Sequence, residues 1–326
     1  MITIENLCKR YNRVDAVRDL NLDVRAGTVF GFVGENGAGK TTTLSILATL
    51  MLPTSGRAYI GGHEVTTDPA QVRRLIGYMP DSFGVYEDLT VREYLAFYGT
   101  AYGVAAPVIE RRTRELLDVT NLGDRADEDV GHLSRGMQQR LGVARCLMHD
   151  PPVLILDEPA SGLDPRSRVE MRELVKNLRE RGKTILISSH ILPELAEMCD
   201  EIGVIQRGAL VACAAVEVVT ARASGQRQLA FDVLRGGRVL GRVLQEHASV
   251  TELLTVEDER VDVLFSGDEA QQAELLRDLI VAGYPVVAAR EIGGSLEELF
   301  LRLTENDQAP PVGERGAAER EKAGTA

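Results

Sequence analysis

The sequence predicts an α/β protein in which a nucleotide-binding domain is followed by a smaller α+β domain. Short apolar segments typical of buried strands alternate with segments of helical periodicity along the first two thirds of the chain. A glycine-rich loop lies between one of these strands and a helix, which is the arrangement of a phosphate-binding loop. The length of 326 residues leaves room for about two domains.

Composition and charge narrow the class of protein. Hydrophobic residues make up 44% of the chain and charged residues 26%, an ordinary globular balance. The formal net charge of −12 argues against a nucleic-acid partner, since such proteins normally carry a basic surface. The four cysteines are scattered without a ligand-like pair, so we expect reduced thiols.

No apolar stretch approaches the ~18 residues of a membrane span. No leader precedes the first strand, so we expect a cytoplasmic protein whose membrane role would come through a partner.

The first predicted elements are two short strands within residues 3–24, joined by a turn at Asn12-Arg13. Tyr11 lies at the end of the first strand. An exposed tyrosine near a nucleotide site can stack on a base. A tyrosine at this position can equally cover the sheet, and this feature alone does not separate the two interpretations.

The next strand leads directly into the phosphate loop. An apolar run, Thr28–Val33, predicts a buried strand. The loop that follows consists of Gly34, Glu35, Asn36, Gly37, Ala38, Gly39, Lys40, Thr41 and Thr42. Its glycines let consecutive backbone N–H groups point inward and cradle a phosphate, and the helix that begins there adds roughly half a positive charge. Lys40 can reach the β- and γ-phosphates and the Thr41 hydroxyl can hold Mg²⁺, so this loop predicts a nucleoside triphosphate as ligand.

A helical block interrupts the alternation of strands and helices. Residues 57–60 and 75–79 predict strands, and Asp81 lies in the loop after the second of them. Helical patterns then fill residues 90–102 and 107–122, which together predict a subdomain.

Two helix N-termini carry candidate binding residues. Met137 and Leu141 fall at helical spacing, which places Ser134 at an N-cap. An ordinary capped helix explains this pattern. The alternative is a second anion site, in which Ser134 and the Gly136 N–H face a phosphate. Asp164 likewise precedes a helix that begins with proline, as an N-cap does.

Two carboxylates follow the next buried strand. Residues 153–156 are fully apolar, and Asp157 and Glu158 come directly after them. Open α/β sheets hold their ligands at the carboxyl ends of parallel strands. Asp157 suits Mg²⁺ binding, and Glu158 suits polarising an attacking water. His190 lies just beyond the apolar strand at residues 184–188, so we expect it at the same edge of the sheet.

In combination these motifs resemble the ATP-binding cassette (ABC) family of ATPases over about residues 2–215. The Walker A loop is GENGAGKTT, the signature is LSRGMQQR and the Walker B strand is VLILDEP. The SGLD turn, which contains Asp164, resembles the family's D-loop, and His190 resembles its switch histidine. Tyr11 is similar to the aromatic residue that stacks on adenine. Several motifs in the right order make the resemblance specific.

The resemblance implies a homodimer that binds two ATP molecules between its subunits. In this family two cassettes associate head to tail, and the signature helix of one faces the γ-phosphate held by the Walker A loop of the other. Ser134 and Gly136 would then act on the nucleotide of the partner. Glu158 would be the general base, and His190 would hold the γ-phosphate and the attacking water.

One departure from the family concerns the metal. The family usually carries glutamine where this chain has Asp81, and that glutamine touches the metal and links the site to the transporter. We expect Asp81 to keep the metal role beside Thr41 and Asp157, although aspartate is shorter and charged. The departure also prompts an alternative function, a regulatory subunit with impaired hydrolysis.

A second domain is predicted after the ATP-binding domain of residues 1–215 and a linker at 216–227. Its expected elements are strands at 228–234, 250–256, 261–265 and 285–291 and helices at 239–247 and 269–281. This β-α-β-β-α-β order is that of a ferredoxin-like module within residues 228–304. Ser295–Thr304 predicts a capped amphipathic helix that resembles the end of drug- and antibiotic-exporting subunits of the ABC-2 branch. The composition of residues 305–326 predicts a disordered tail.

The resemblance therefore implies an ATPase subunit that powers a separate membrane permease, for export of a drug, an antibiotic or another small molecule. The permease would dock on the block at residues 83–103 and hold the protein at the inner face of the membrane. A competing class is a soluble ABC ATPase that acts on ribosomes or DNA. Such proteins typically carry two cassettes in one chain or long insertions, and the sequence shows neither.

Overall fold

The computed structural model describes residues 1–216 and 227–291, and the chain divides into two units at the boundary between residues 226 and 227. The strands of the first unit are β1 (Ile2–Tyr11), β2 (Val14–Val24), β3 (Val29–Val33), β4 (Ser55–Ile60), β5 (His63–Glu64), β6 (Ile76–Met79), β7 (Val153–Asp157), β8 (Thr184–Ser189), β9 (Glu201–Gln206) and β10 (Ala209–Ala215). Its helices are α1 (Lys40–Leu47), α2 (Pro69–Leu75), α3 (Val91–Ala101), α4 (Ala106–Val119), α5 (Arg135–Cys146), α6 (Pro165–Glu180) and α7 (Leu192–Ala196), with short 3₁₀ turns at Gly123–Arg125 and Val130–His132.

The central sheet of the first unit has the strand order β10-β9-β3-β8-β7-β6. The strands from β9 to β6 are parallel, and β10 adds an antiparallel edge. Strands β3 and β7 are buried along their whole length, as expected for parallel strands covered on both faces. Their carboxyl ends therefore meet at one edge of the sheet.

A second, antiparallel sheet has the order β2-β1-β4-β5. Its inward-facing side chains share one hydrophobic cluster with α1 and with β3. Ile4 and Leu22 contribute from the antiparallel sheet, Leu44 from α1, and Phe30 and Phe32 from β3. This shared core fixes the helix after the phosphate loop against both sheets.

The predicted helical block is present as α3 and α4. A capping box starts α3, because Thr90 accepts from the Glu93 N–H while the Glu93 carboxylate accepts from the Thr90 N–H. The sequence prediction missed α2, the two-residue strand β5, the short helix α7 and the last two strands of the first unit, β9 and β10. The strand expected at residues 75–79 begins at Ile76, because Leu75 ends α2.

The second unit contains the predicted β-α-β-β-α-β order. Its elements are β11 (Arg227–Val233), α8 (Gly237–Gln245), β12 (Val250–Val256), β13 (Arg260–Phe265), α9 (Glu269–Val281) and β14 (Val286–Glu291). The sheet order is β12-β13-β11-β14 and every pair is antiparallel, as in a ferredoxin-like module. Leu240 of α8 and Leu275 of α9 share one core with Phe231 and Phe265 of the sheet. The predicted fold class is therefore confirmed.

Three predictions fall outside the described residues: most of the linker, the helix at Ser295–Thr304 and the tail at 305–326. Within residues 1–216 and 227–291, the structure contains no helix both long and apolar enough to cross a membrane.

Candidate functional site

The phosphate loop lies between β3 and α1 and is shaped by a close backbone approach. Gly39 has a φ of 109°, in the left-handed region. A Cβ atom at this position would lie 2.4 Å from the carbonyl oxygen of Ala16, so only glycine fits. Lys40 follows as the first residue of α1, and its Nζ donates to the carbonyl oxygens of Gly34 (2.5 Å) and Glu35 (3.2 Å). The loop and the start of the helix thus form the cradle that the sequence predicts.

Parallel pairing brings the ends of three strands to this loop. Val33 of β3 pairs with Ser189 of β8, and Asp157 of β7 pairs with Ser188 of β8. The Gly34 N–H donates to the Ser189 carbonyl oxygen at 3.3 Å. The register of the sheet therefore places a phosphate loop, a carboxylate and a hydroxyl side by side.

Asp157 is a fully buried carboxylate with one oxygen that has no partner. It is 0% exposed, and the Ser188 hydroxyl donates to its Oδ1. Oδ2 is buried and receives no hydrogen bond from the described residues. Burial raises the pKa of Asp157, while the neighbouring hydroxyl groups of Ser188 and Thr41 oppose that rise. A buried carboxylate oxygen without a donor is a suitable ligand for a hard divalent cation.

Glu158 is held from two sides in an unusual backbone conformation. Its φ is 50°, which is uncommon for a residue with a side chain and recurs at functional sites. Its N–H donates to Ser188 Oγ at 2.9 Å. Its Oε2 lies 2.9 Å from His190 Nδ1, and its Oε1 lies 3.4 Å from Lys40 Nζ. The structure thus brings together the predicted base, the predicted switch histidine and the phosphate-loop lysine.

Glu158 and Lys40 border one small cavity of about 160 Å³. Its lining consists of Ala16, Glu35, Asn36, Gly37, Gly39, Lys40, Thr41, Thr42, Asp81 and Glu158. Asp81 therefore faces the phosphate loop from the end of β6. Within residues 1–216 and 227–291, no three His, Cys, Asp or Glu side chains form a metal site by themselves. Mg²⁺ typically binds through one or two carboxylates together with phosphate oxygens, so the residues present fit a nucleotide-borne Mg²⁺.

Tyr11 lies at the end of β1 and does not line this cavity. Its hydroxyl donates to Met51 Sδ at 2.6 Å, and Lys9 Nζ lies 5.2 Å from the centroid of its ring. Tyr11 is 41% exposed. The residue is therefore accessible from solvent, but its contact with adenine stays a prediction.

Ser134, Gly136 and Asp164 are grouped together, away from the phosphate loop. Ser134 caps α5 by accepting from the Met137 N–H, and Asp164 caps α6 by accepting from the Ser167 N–H and hydroxyl. A Cβ atom at Gly136 would lie 2.3 Å from Ser167 Oγ, so the starts of the two helices are in close contact. Ser134 and Asp164 line a separate cavity of about 660 Å³. Ser134 therefore caps a helix and also lines an open cavity. These observations fit both an ordinary helix cap and a second anion site.

Sequence reasoning missed two residues of the site. Ser188 connects Asp157 to the Glu158 backbone, and Ala16 presents its carbonyl oxygen to Gly39. Ser188 carried a usable signal, because it ends an apolar strand whose neighbour ends in carboxylates. Ala16 carried none, since its role depends on a backbone atom.

A phosphate loop after one parallel strand, and paired carboxylates after another strand of the same sheet, define a P-loop nucleoside triphosphatase. Residues 17–161 match the family described as ABC transporter. The chain is 31% identical over 305 residues to the linearmycin resistance ATP-binding protein LnrL of Bacillus subtilis, covering 93% of this chain and 98% of that protein. It is 34% identical over 304 residues to the bacitracin transport ATP-binding protein BcrA of Bacillus licheniformis, covering 93% and 97%.

A solved structure agrees with these matches. A dimeric ATP-binding cassette in a post-hydrolysis state, bound to ADP and Pi, superposes with a TM-score of 0.60 at 26% identity, covering 66% of this chain and 99% of that chain. This chain belongs to the ATP-binding proteins of ABC transporters, and it is an ATP hydrolase.

Proposed function

We propose that this chain is the ATP-hydrolysing subunit of an exporter and that it drives a separate membrane permease. The observation that carries this proposal is the extent of the similarity to the linearmycin resistance and bacitracin transport proteins. Both matches cover 93% of this chain and nearly all of the relative, so they extend beyond the first unit. The cargo we propose is an antibiotic or another small molecule, in line with the names of these relatives.

The proposed ligands are ATP and Mg²⁺. Backbone N–H groups of the phosphate loop hold the β- and γ-phosphates, and Lys40 turns from its loop carbonyls toward them. Thr41, Asp157 and Asp81 are the groups that hold the metal. The Asp157 oxygen without a partner supports this assignment. Bound Mg²⁺ would neutralise negative charge on the phosphate oxygens.

Hydrolysis requires a residue that takes the proton of the attacking water. We assign this role to Glu158, whose side chain borders the cavity beside Lys40. His190 Nδ1 lies 2.9 Å from Glu158 Oε2 and so fixes the direction of the carboxylate. Ser188 positions both acids, because its hydroxyl donates to Asp157 Oδ1 and accepts from the Glu158 N–H.

A homodimer completes the proposed site. Within one chain Ser134 and Asp164 line a cavity separate from the one at Lys40. A helix N-terminus attracts anions through its free N–H groups and its dipole. In the proposed head-to-tail dimer, Ser134 and Gly136 of one copy face the γ-phosphate held by Lys40 of the other. Tyr11 stacks on the adenine. The similarity to a dimeric cassette supports this arrangement.

The proposed permease contact is an exposed aromatic surface of the helical block. Tyr86, Phe97 and Tyr102 are each more than 40% exposed, and the Tyr86 and Phe97 rings contact each other at 5.3 Å between centroids. Exposed aromatic clusters are uncommon on surfaces that face only water. A permease bound there would hold this chain at the cytoplasmic face of the membrane.

Purification of the tagged full chain from detergent-solubilised membranes of its native cells tests this function. We expect a multi-spanning membrane protein to co-elute with the wild type and to be lost with Phe97→Asp. Val211→Asp is the matched control, because Val211 is similarly exposed but lies on β10. Elution of the wild type without a membrane protein, or together with ribosomes, would favour the competing class of soluble ABC ATPases.

A further inference from the structure

Arg145 is a buried cation whose neighbours are aromatic. It lies near the end of α5 and is 8% exposed. Its guanidinium carbon is 4.9 Å from the centroid of the Phe83 ring and 5.0 Å from that of Tyr98. Its Nη1 lies 3.5 Å from the Tyr94 hydroxyl oxygen. Across the described parts of the chain, the contacts of Arg145 are with aromatic residues, and no carboxylate forms an ion pair with it. The described partners of this buried charge are therefore two aromatic rings and the Tyr94 hydroxyl.

The surface of α5 is shaped to receive Phe83. A Cβ atom at Gly142 would lie 2.6 Å from Phe83 Cζ and 3.2 Å from Met79 Sδ, so a larger residue would displace the ring. Phe83 thus lies in a shallow seat on α5, with the Arg145 guanidinium on one side. A cation–π contact is stronger when it is desolvated, as it is here. A buried charge that loses one such partner is less well compensated, which favours keeping the contact with Phe83 intact.

Phe83 belongs to the loop that carries Asp81. This loop follows β6, and Asp81 lines the cavity at the phosphate loop. The same helix that contacts Phe83 begins at the Ser134 cap, and Tyr98, the second ring near the Arg145 guanidinium, belongs to α3. One guanidinium therefore touches both the Asp81 loop and the helical block.

We propose that Arg145 is a positioning residue that clamps Phe83 and thereby holds Asp81 toward the phosphate loop. None of the contacts described for Arg145 is with a residue that lines the nucleotide cavity, so its effect on the site would pass through Phe83. The contacts of Phe83 with Arg145 and with Gly142 support this placement of the loop after β6. Only its consequence for hydrolysis rests on the proposed metal role of Asp81.

A purely structural role for Arg145 would join α3 to α5 without affecting the loop. Arg112 provides the matched control for that case. It is a largely buried arginine of the same helical block, and it joins α4 to the segment after α5 by donating to the Leu147 carbonyl oxygen at 2.7 Å and pairing with Asp150 at 3.1 Å. It has no contact with Phe83 among those described.

The chain contains no tryptophan, so Phe83→Trp introduces a single fluorescent reporter in the loop. Acrylamide quenching of this tryptophan is measured in the full chain without ligand. We expect Arg145→Met in this background to increase quenching and Arg112→Met to leave it unchanged. Arg145→Lys keeps the charge but loses the planar group, and it serves if Arg145→Met does not fold; quenching should again increase. Equal quenching in the Arg145 and Arg112 variants would overturn the proposal.

Hydrolysis supplies a second readout in the chain with native Phe83. We expect Arg145→Met to raise the Mg²⁺ concentration for half-maximal activity by up to about tenfold, the low end for residues that orient a metal ligand. Phe83→Ala should give a similar change, and the double variant should add little to it. Additive effects would contradict action through Phe83. If Asp81→Ala leaves Mg²⁺ dependence unchanged, the metal role of Asp81 fails, and the quenching experiment still decides the clamp.

Discussion

At the residue scale, Glu158 has the most constrained environment of the catalytic candidates. It combines a left-handed backbone with contacts to Lys40 and His190 through its two carboxylate oxygens. Such strain persists only where the surroundings determine the conformation, and here the Ser188 hydroxyl fixes the Glu158 N–H. The carboxylate is therefore presented to the cavity in one orientation, which a general base requires.

Glu158→Gln should keep ATP binding and lose hydrolysis. The amide preserves the shape of the side chain but accepts no proton, so we expect turnover to fall about 10²–10⁴-fold, or roughly 3–5 kcal/mol in barrier. The variant should accumulate as a nucleotide-bound dimer, measured by size-exclusion chromatography with ATP. Glu35→Gln is the control, since Glu35 borders the same cavity without being assigned a proton-transfer role. Unchanged steady-state hydrolysis in Glu158→Gln would reject this role for Glu158.

The sequence predicted Lys40, Asp157 and Glu158 because their spacing relative to a strand end carries the chemistry by itself. Ser188 and Ala16 could not be assigned in the same way. Ser188 reaches the acids through the register between β7 and β8, and Ala16 acts through its carbonyl oxygen. Interactions of this kind depend on three-dimensional proximity, which a motif does not encode.

At the element scale, segments with a continuous apolar run or a clear helical period were predictable, and segments with neither were not. The strands β7 and β8 are mostly continuous apolar runs, and the helices α3 and α4 carry helical periodicity over most of their length. In contrast, α2 has seven residues and ends at Leu75, and β6 begins at the next residue, Ile76. No glycine or proline marks this boundary. The apolar pattern at that junction fits a strand equally well, so the helix was missed.

The loop after β6 is the element whose sequence departs from the family, and Asp81→Ala tests its role. If Asp81 helps to hold the metal, the variant should require about tenfold more Mg²⁺ for half-maximal hydrolysis, since one oxygen ligand is lost. Asp88→Ala is the control, because Asp88 is an exposed carboxylate nearby that does not line the cavity. Unaltered Mg²⁺ dependence in Asp81→Ala would argue that the loop has no metal role.

At the scale of the whole molecule, the candidate groups fall into two separate sets. Lys40, Asp157 and Glu158 lie around the phosphate loop, whereas Ser134 and Asp164 line another cavity of the same unit. A second copy supplies the missing half if the two associate head to tail, as a closed two-fold arrangement requires each copy to contribute both sets. The sequence predicted both sets, and the family resemblance already implied that Ser134 acts on the partner's nucleotide; the structure places the two sets at separate cavities of one chain.

The arrangement in trans is tested most directly by mixing two inactive variants. Lys40→Met removes the phosphate-loop cation, and Ser134→Asp keeps a helix N-cap while placing a negative charge where the partner's phosphate would lie. A mixed dimer contains one site with intact Lys40 and intact Ser134, so the mixture should hydrolyse ATP although neither variant does so alone. Ser134→Thr, which keeps the hydroxyl, should retain activity by itself. Activity of the mixture equal to the sum of its separate components would contradict the proposed dimer.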